Sequence, residues 1–246
     1  MARTILILGG TSDAHALAGR LAARVGVRVV SSLAGRTGNP RLPSGEVRIG
    51  GFGGPESLAR YLEETGVDAV VDATHPFAAR MGWNAAEACA LAGVRLLRLE
   101  RPAWHPGPDD RWRMVADWPQ AVAALDDSRR ALLALGRQEL APFAALTRVW
   151  FLIRSVEAPD PMPPFAQAQI LLARGPFAEA DEIELLRQHG IDTIVCKNSG
   201  GPTDGKLAAA RALGLRVVMR ARPARPDLPT VADPAAAEEW SLRPAD

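Results

Sequence analysis

The spacing of apolar and polar positions changes period repeatedly along the chain. Runs such as ILIL, VRVV and AVVD are apolar at nearly every position, as in strands covered on both faces of a parallel sheet. Between them lie alanine- and leucine-rich stretches at helical spacing, so the chain reads as successive βα units. The pattern predicts strands over Thr4–Leu8, Val27–Ser31, Glu46–Ile49, Ala69–Asp72 and Arg95–Leu99, with helices over Ala14–Arg24, Pro55–Thr65 and Ala78–Leu91. A second series predicts strands over Ala131–Leu135, Val149–Arg154, Gln169–Ala173, Thr193–Cys196 and Arg216–Arg220, with helices over Glu139–Leu146, Ala180–His189 and Gly205–Leu213. Between the two series, RPAWHPGPDDRW (Arg101–Trp112) has prolines that cannot continue a helix or a central strand. The expected fold class is α/β, with two similar parallel-sheet halves over 1–105 and 119–223 facing each other, and an extended tail over 224–246 with one short helix at its end.

Composition narrows the function classes. A hydrophobic content of 48% is ample for a core, and 29 basic against 28 acidic residues leave no global field to attract nucleic acid or membrane. Any anion site must therefore be local. Cys89 and Cys196, far apart in the chain, offer neither a disulfide framework nor a paired metal motif. The opening MARTILILGG has too short an apolar run for a signal peptide, and no stretch is long enough for a membrane span, so a cytoplasmic protein is expected.

In sheets of this kind ligands bind beyond the carboxyl ends of the strands. After the first strand, Gly9 and Gly10 let a ligand approach the backbone, and Thr11, Ser12 and Asp13 open a helix. This reads either as a pyrophosphate cradle or as a plain capped turn. The second strand ends in VVSSLAGRTG, with Ser31, Ser32 and Arg36 in place of the acidic residue that would take the ribose hydroxyls of NAD. That exchange points to the 2′-phosphate of NADPH, against a solvated loop arginine. Thr74, His75 and Pro76 follow the fourth strand, as a helix-capping group or as the border of a nicotinamide ring.

The second series ends its strands in cations: Arg137, Arg154, Arg174, Lys197 and Arg220. Five along one sheet edge argue for a ligand with several carboxylates. Among them, Asn198, Ser199, Gly200, Gly201 and Lys206 form a near match to a phosphate loop, but Leu207 stands where Ser or Thr would hold Mg²⁺. The four histidines have no metal-ligand spacing, no G-x-S-x-G elbow is present, and Tyr61 has no lysine four residues on. Trp104, Trp112 and Trp118 cluster at the connector, either to stack on a ligand or to pack the domains.

ILILGGTSDAHALA, SLAGR, GGFGGPESLARYL, DATHPFAARM, RLERPAW, LALGRQELAPFA, ARGPF, and KNSGG followed by KLAAARALGLRVVM occur in order from residue 5 to about residue 223. Together they resemble the precorrin-6A reductase family of cobalamin biosynthesis. The resemblance implies two Rossmann-like parallel-sheet domains flanking a cleft, with a strand exchanged between them. It also implies NADPH-dependent reduction of precorrin-6A to precorrin-6B at the macrocycle double bond between carbons 18 and 19. It places Gly9–Asp13 and Ser31–Arg36 on NADPH and Thr74–Pro76 near the nicotinamide. Arg137, Arg174 and the Lys197–Gly201 turn then face the carboxylate-rich substrate or the far side of the cofactor, and His75 and Asp13 are the candidate acids if the reaction needs one. Transient handover of product to the next pathway enzyme is the expected protein contact. Met81-Gly82-Trp83 and Pro202–Gly205 depart from the family pattern. A cobalt-containing substrate, a metal-assisted phosphoryl transferase and a non-catalytic NADP- or tetrapyrrole-binding module are the alternatives.

Overall fold

The computed structural model describes residues 2–35 and 42–244, which fold as two units, 1–102 with 223–246, and 103–222. The first unit opens with β1 (Arg3–Leu8), α1 (Ser12–Ala22), β2 (Val27–Leu33), β3 (Glu46–Ile49), α2 (Pro55–Glu64), β4 (Ala69–Asp72), α3 (Ala79–Ala92) and β5 (Arg95–Leu99). The second holds β6 (Arg111–Val115), α4 (Trp118–Ala123), β7 (Arg130–Ala134), β8 (Trp150–Ser155), β9 (Ala168–Leu172), α5 (Glu179–Gln188), β10 (Thr193–Lys197), α6 (Gly205–Ala212) and β11 (Arg216–Arg220). The chain then returns to the first unit with β12 (Thr230–Val231) and α7 (Pro234–Leu242).

Each unit is built on a six-stranded parallel sheet. The orders are β12-β5-β4-β1-β2-β3 and β6-β11-β10-β7-β8-β9. Both follow the doubly wound order in which the third, second and first strands are followed by the fourth and fifth. The sixth position is exchanged. β6, which follows β5 in the chain, completes the second sheet beside β11, and β12 completes the first beside β5. In each sheet the order reverses between two central strands, β1 and β4 in the first, β7 and β10 in the second, the topological switch points at whose carboxyl ends sheets of this kind bind ligands.

Three expectations are corrected. The segment 224–246 carries the expected short helix, α7, but is not an extended tail: Val231, Trp240, Leu242 and fully buried Ala237 pack with the core around α1. Residues Arg101–Trp112 end inside a strand, because β6 starts at Arg111. Glu139–Leu146 forms two 3-10 turns rather than an α-helix, and Pro142 removes the amide that would continue a helical ladder.

Glu238 fastens α7 to α1. Its side chain, 5% exposed, accepts from Arg20 Nε at 2.6 Å and Arg24 Nε at 2.7 Å. The bond from Arg24, then that from Arg20, holds the carboxyl below its ordinary value against the opposing effect of burial. A lowered carboxylate contributes stability above its unfolded-state value and loses it as pH falls through the folded value. Replacing Glu238 with Gln is therefore expected to cost about 1–3 kcal/mol at neutral pH. Thermal melts at decreasing pH should show the gap between variant and parent closing in acid; a gap independent of pH would refute the assignment.

Candidate functional site

The first switch point carries the glycine turn. Apolar β1 runs straight into Gly9 and Gly10, and the Gly10 φ of 113° lies where a side chain is strained. Gly9 packs closely: a Cβ there would stand 3.3 Å from Leu33 Cδ2. At Gly10 a Cβ would meet no atom within 4 Å, so the outer side of the turn is open. Thr11 caps α1, its hydroxyl accepting from the Ala14 amide at 3.1 Å and donating to the Ala73 carbonyl at 2.8 Å. One side chain thus ties the ends of β1 and β4 together. Ser12 is exposed in the first turn of α1, and Asp13 faces Arg101 Nε at 3.5 Å.

Ser31, the last residue of the expected strand, and Ser32 both lie within β2, which runs two residues further, to Leu33. Both are buried, since this part of β2 has neighbours on both sides, β1 and β3. The Ser32 carbonyl accepts from the Gly9 amide at 2.9 Å. Ser31 Oγ is a buried polar atom without a hydrogen-bond partner. Arg36 lies outside the described residues.

At the end of β4, Asp72 is fully buried and organises the loop that follows. Its Oδ1 accepts from the Thr74 amide at 3.1 Å and the Thr74 hydroxyl at 2.6 Å. Its Oδ2 pairs with Arg225. His75 Nδ1 accepts from the Phe77 amide at 3.2 Å, which places the proton of the neutral ring on Nε2. Pro76 is buried beside it. Asp72 opens the motif DATHPFAARM, whereas Arg225 lies outside every motif quoted above. Arg225 lies 153 positions from Asp72, and no local spacing announces such a partner.

In the second unit the cations arrive with acids. Lys197 Nζ donates to Glu139 Oε2 at 2.7 Å, with Arg220 NH1 4.0 Å from the other oxygen. Arg137 pairs with Glu157 at 3.1 Å. Arg154 is buried against Glu182 and lies over the Phe177 ring, so it belongs to the interior and not to a ligand-facing row. Arg174 is exposed just beyond edge strand β9.

The glycine turn after β10 is anchored from two directions. Asn198 exchanges hydrogen bonds with the Trp104 backbone at 2.8 and 2.9 Å, and the Trp104 indole donates to the Gly201 carbonyl at 2.8 Å. Arg222 donates to the carbonyls of Asn198 at 3.0 Å and Ser199 at 3.2 Å. Gly200 and Gly201 both adopt positive φ, 70° and 76°. Lys206 Nζ lies 4.5 Å from the Trp104 ring centroid and donates to the Thr203 carbonyl; burial lowers its ammonium from the ordinary value. Leu207 is buried in the core beneath α6, which is why no magnesium-binding hydroxyl stands there. Trp104 and Trp118 are both engaged inside this unit, Trp118 edge-on to Phe143.

Two doubly wound parallel sheets, the first with a glycine turn and a capped helix at its switch point, define a two-domain Rossmann-like α/β protein. The profile of the family Precorrin-6x reductase CbiJ/CobK matches residues 4–241, and the chain belongs to that family. It is 53% identical over 240 residues to a precorrin-6A reductase of Rhodococcus erythropolis, with 96% of each chain covered. To a cobalt-precorrin-6A reductase of Priestia megaterium it is 32% identical, over 89% of this chain and 90% of that one. The solved structure of CobK precorrin-6A reductase superposes with a TM-score of 0.91 at 44% identity, covering 97% of this chain and 95% of that one.

Proposed function

We propose that this protein is an NADPH-dependent oxidoreductase that converts precorrin-6A to precorrin-6B in cobalamin biosynthesis. The observation that carries the reading is the open glycine turn at the first switch point, in a chain of a precorrin reductase family. The residues there fit the cofactor. Gly10 leaves room beside the backbone, the start of α1 offers amides to a pyrophosphate, and Ser31 Oγ is an unpaired buried donor near the end of β2.

In this reading Gly9, Gly10, Thr11, Ser12 and Asp13 hold the pyrophosphate, Ser31, Ser32 and Arg36 the 2′-phosphate end, and Thr74, His75 and Pro76 border the nicotinamide. Bound NADPH supplies a hydride to the macrocycle double bond between carbons 18 and 19, and one proton completes the addition. His75, with its proton on Nε2, and Asp13 are the side chains assigned to guide that proton. Arg137, Arg174, Lys197, the turn Asn198–Gly201 and Lys206 receive substrate carboxylates. The Arg137 and Lys197 positions already hold the carboxylates of Glu157 and Glu139, chemistry that an arriving acetate or propionate arm reproduces. Identity of 53% to a precorrin-6A reductase, against 32% to a cobalt-precorrin-6A reductase, favours the metal-free substrate.

Anaerobic incubation with precorrin-6A and NADPH, followed at the nicotinamide absorbance and in the tetrapyrrole spectrum, tests the reading. One NADPH oxidised per macrocycle is expected, with cobalt-precorrin-6A and NADH as poorer substrates. Tight NADPH binding without oxidation would leave a carrier or sensor. Replacing Arg36 with Ala is expected to lower the preference for NADPH over NADH by about tenfold, the value of one lost charge-assisted contact. An unchanged preference would remove Arg36 from the site.

A further inference from the structure

Arg225 binds the β4–α3 loop more completely than an ordinary ion pair requires. Its side chain is 6% exposed, and its NH2 pairs with Asp72 and lies 3.4 Å from the Thr74 hydroxyl. NH1 donates to the carbonyls of His75 at 3.2 Å and Pro76 at 3.4 Å, with Glu100 at 3.8 Å. The guanidinium rests on the backbone of α3 at Gly82. A Cβ at that position would stand 2.7 Å from NH2, 2.8 Å from Nε and 2.9 Å from Cζ. The segment bringing Arg225 is itself fastened: Arg98 donates its amide to the Pro229 carbonyl at 2.9 Å and its NH2 to the Pro226 carbonyl at 2.7 Å.

A buried salt bridge needs only Asp72. The two carbonyl contacts are different in kind, because they fix the His75–Pro76 peptide plane and the Pro76–Phe77 plane that follows it. The Phe77 amide holds the imidazole by Nδ1 from the other side. Ring and backbone of His75 are thus restrained by separate partners, and restraint of this kind supports hydride transfer, where small misplacements cost large factors in rate.

We propose that Arg225 is a positioning residue of the reductase, holding the Thr74–Pro76 loop, and with it His75, in the geometry of the reaction. This rests on the proposed function. Two substitutions separate positioning from folding. Arg225→Lys keeps the positive charge beside Asp72 but lacks the planar fork that reaches both carbonyls. Gly82→Ala leaves Arg225 and its charge intact and suits a helix better than glycine, yet its methyl must displace the guanidinium.

Both proteins are to be assayed with precorrin-6A and NADPH for kcat and KM separately, for the primary deuterium isotope effect with 4-deuterated NADPH, and for NADPH affinity by fluorescence titration. Melting temperature confirms folding. The expected result is a fall in kcat of about 10–100-fold in each, with KM and NADPH affinity within about threefold, and an isotope effect larger than in the parent. Variants that fold and retain the parent kcat and isotope effect would overturn the proposal, leaving Arg225 a stability contact only. If the parent does not oxidise NADPH with precorrin-6A, the function assignment fails instead, a result visible before either variant is compared.

Discussion

Replacing Asp72 with Asn is expected to destabilise the first unit by about 3–5 kcal/mol and to lower its melting temperature by on the order of 10 °C. The reason is asymmetric. Asp72 is fully buried and Arg225 nearly so, with Nε of the guanidinium already lacking a partner. Removing the carboxylate charge leaves a buried cation whose remaining acidic neighbour is Glu100 at 3.8 Å. An uncompensated charge in the interior costs far more than the intact pair contributes. The substituted carboxamide would still offer an oxygen to Thr74, so loss of the loop hydrogen bonds alone cannot account for a penalty of this size. The double change Asp72→Asn with Arg225→Met is therefore expected to recover more than half of the lost stability, because it removes the stranded charge. Calorimetry or circular-dichroism melts of the single and double variants decide the matter. A single variant within about 1 kcal/mol of the parent, close to the scale of an ordinary surface change, would show that the pair carries no buried charge cost.

Replacing Gly10 with Ala is expected to weaken NADPH binding by about 100-fold while lowering stability by only about 1–3 kcal/mol. The stability loss comes from the φ of 113°, a region that L side chains rarely adopt. The binding loss has a separate origin. The added methyl meets no protein atom within 4 Å, so it projects into the open side of the turn, where under the proposed function the pyrophosphate would approach the backbone. Fluorescence titration with NADPH, beside a melt in its absence, separates the two effects. Parent-like affinity in a destabilised variant would move the cofactor away from this turn.

The class of fold and the identity of most strands are legible in the residues alone. β1 and β4 are nearly continuous apolar runs, and burial on both faces of a parallel sheet leaves such strands no polar side to show. Both strand-end loops, Gly9–Asp13 and Lys197–Gly201, are marked in the same way, because glycine turns and helix caps are properties of a few neighbouring residues. Collinear motifs along the chain point to the reductase family without any knowledge of contacts.

The rest depends on how distant segments meet. Which sheet receives β6 or the two-residue β12 is set by edges far away in sequence, and the polar-apolar alternation of Arg111–Met114 marks a strand without naming the sheet it joins. The strand-end cations of the second unit read as a uniform row, whereas their partners Glu139, Glu157 and Glu182 sort them into surface pairs and the buried Arg154. Ser32 and Leu33 are strand rather than loop residues because β2 continues as long as β1 and β3 flank it. Asp72, Arg225 and Gly82 form one contact only after the chain has left the first unit, built the second and come back. Local sequence records backbone preference and burial period, while ion pairs and the fit of a guanidinium against a bare glycine are facts of three-dimensional proximity.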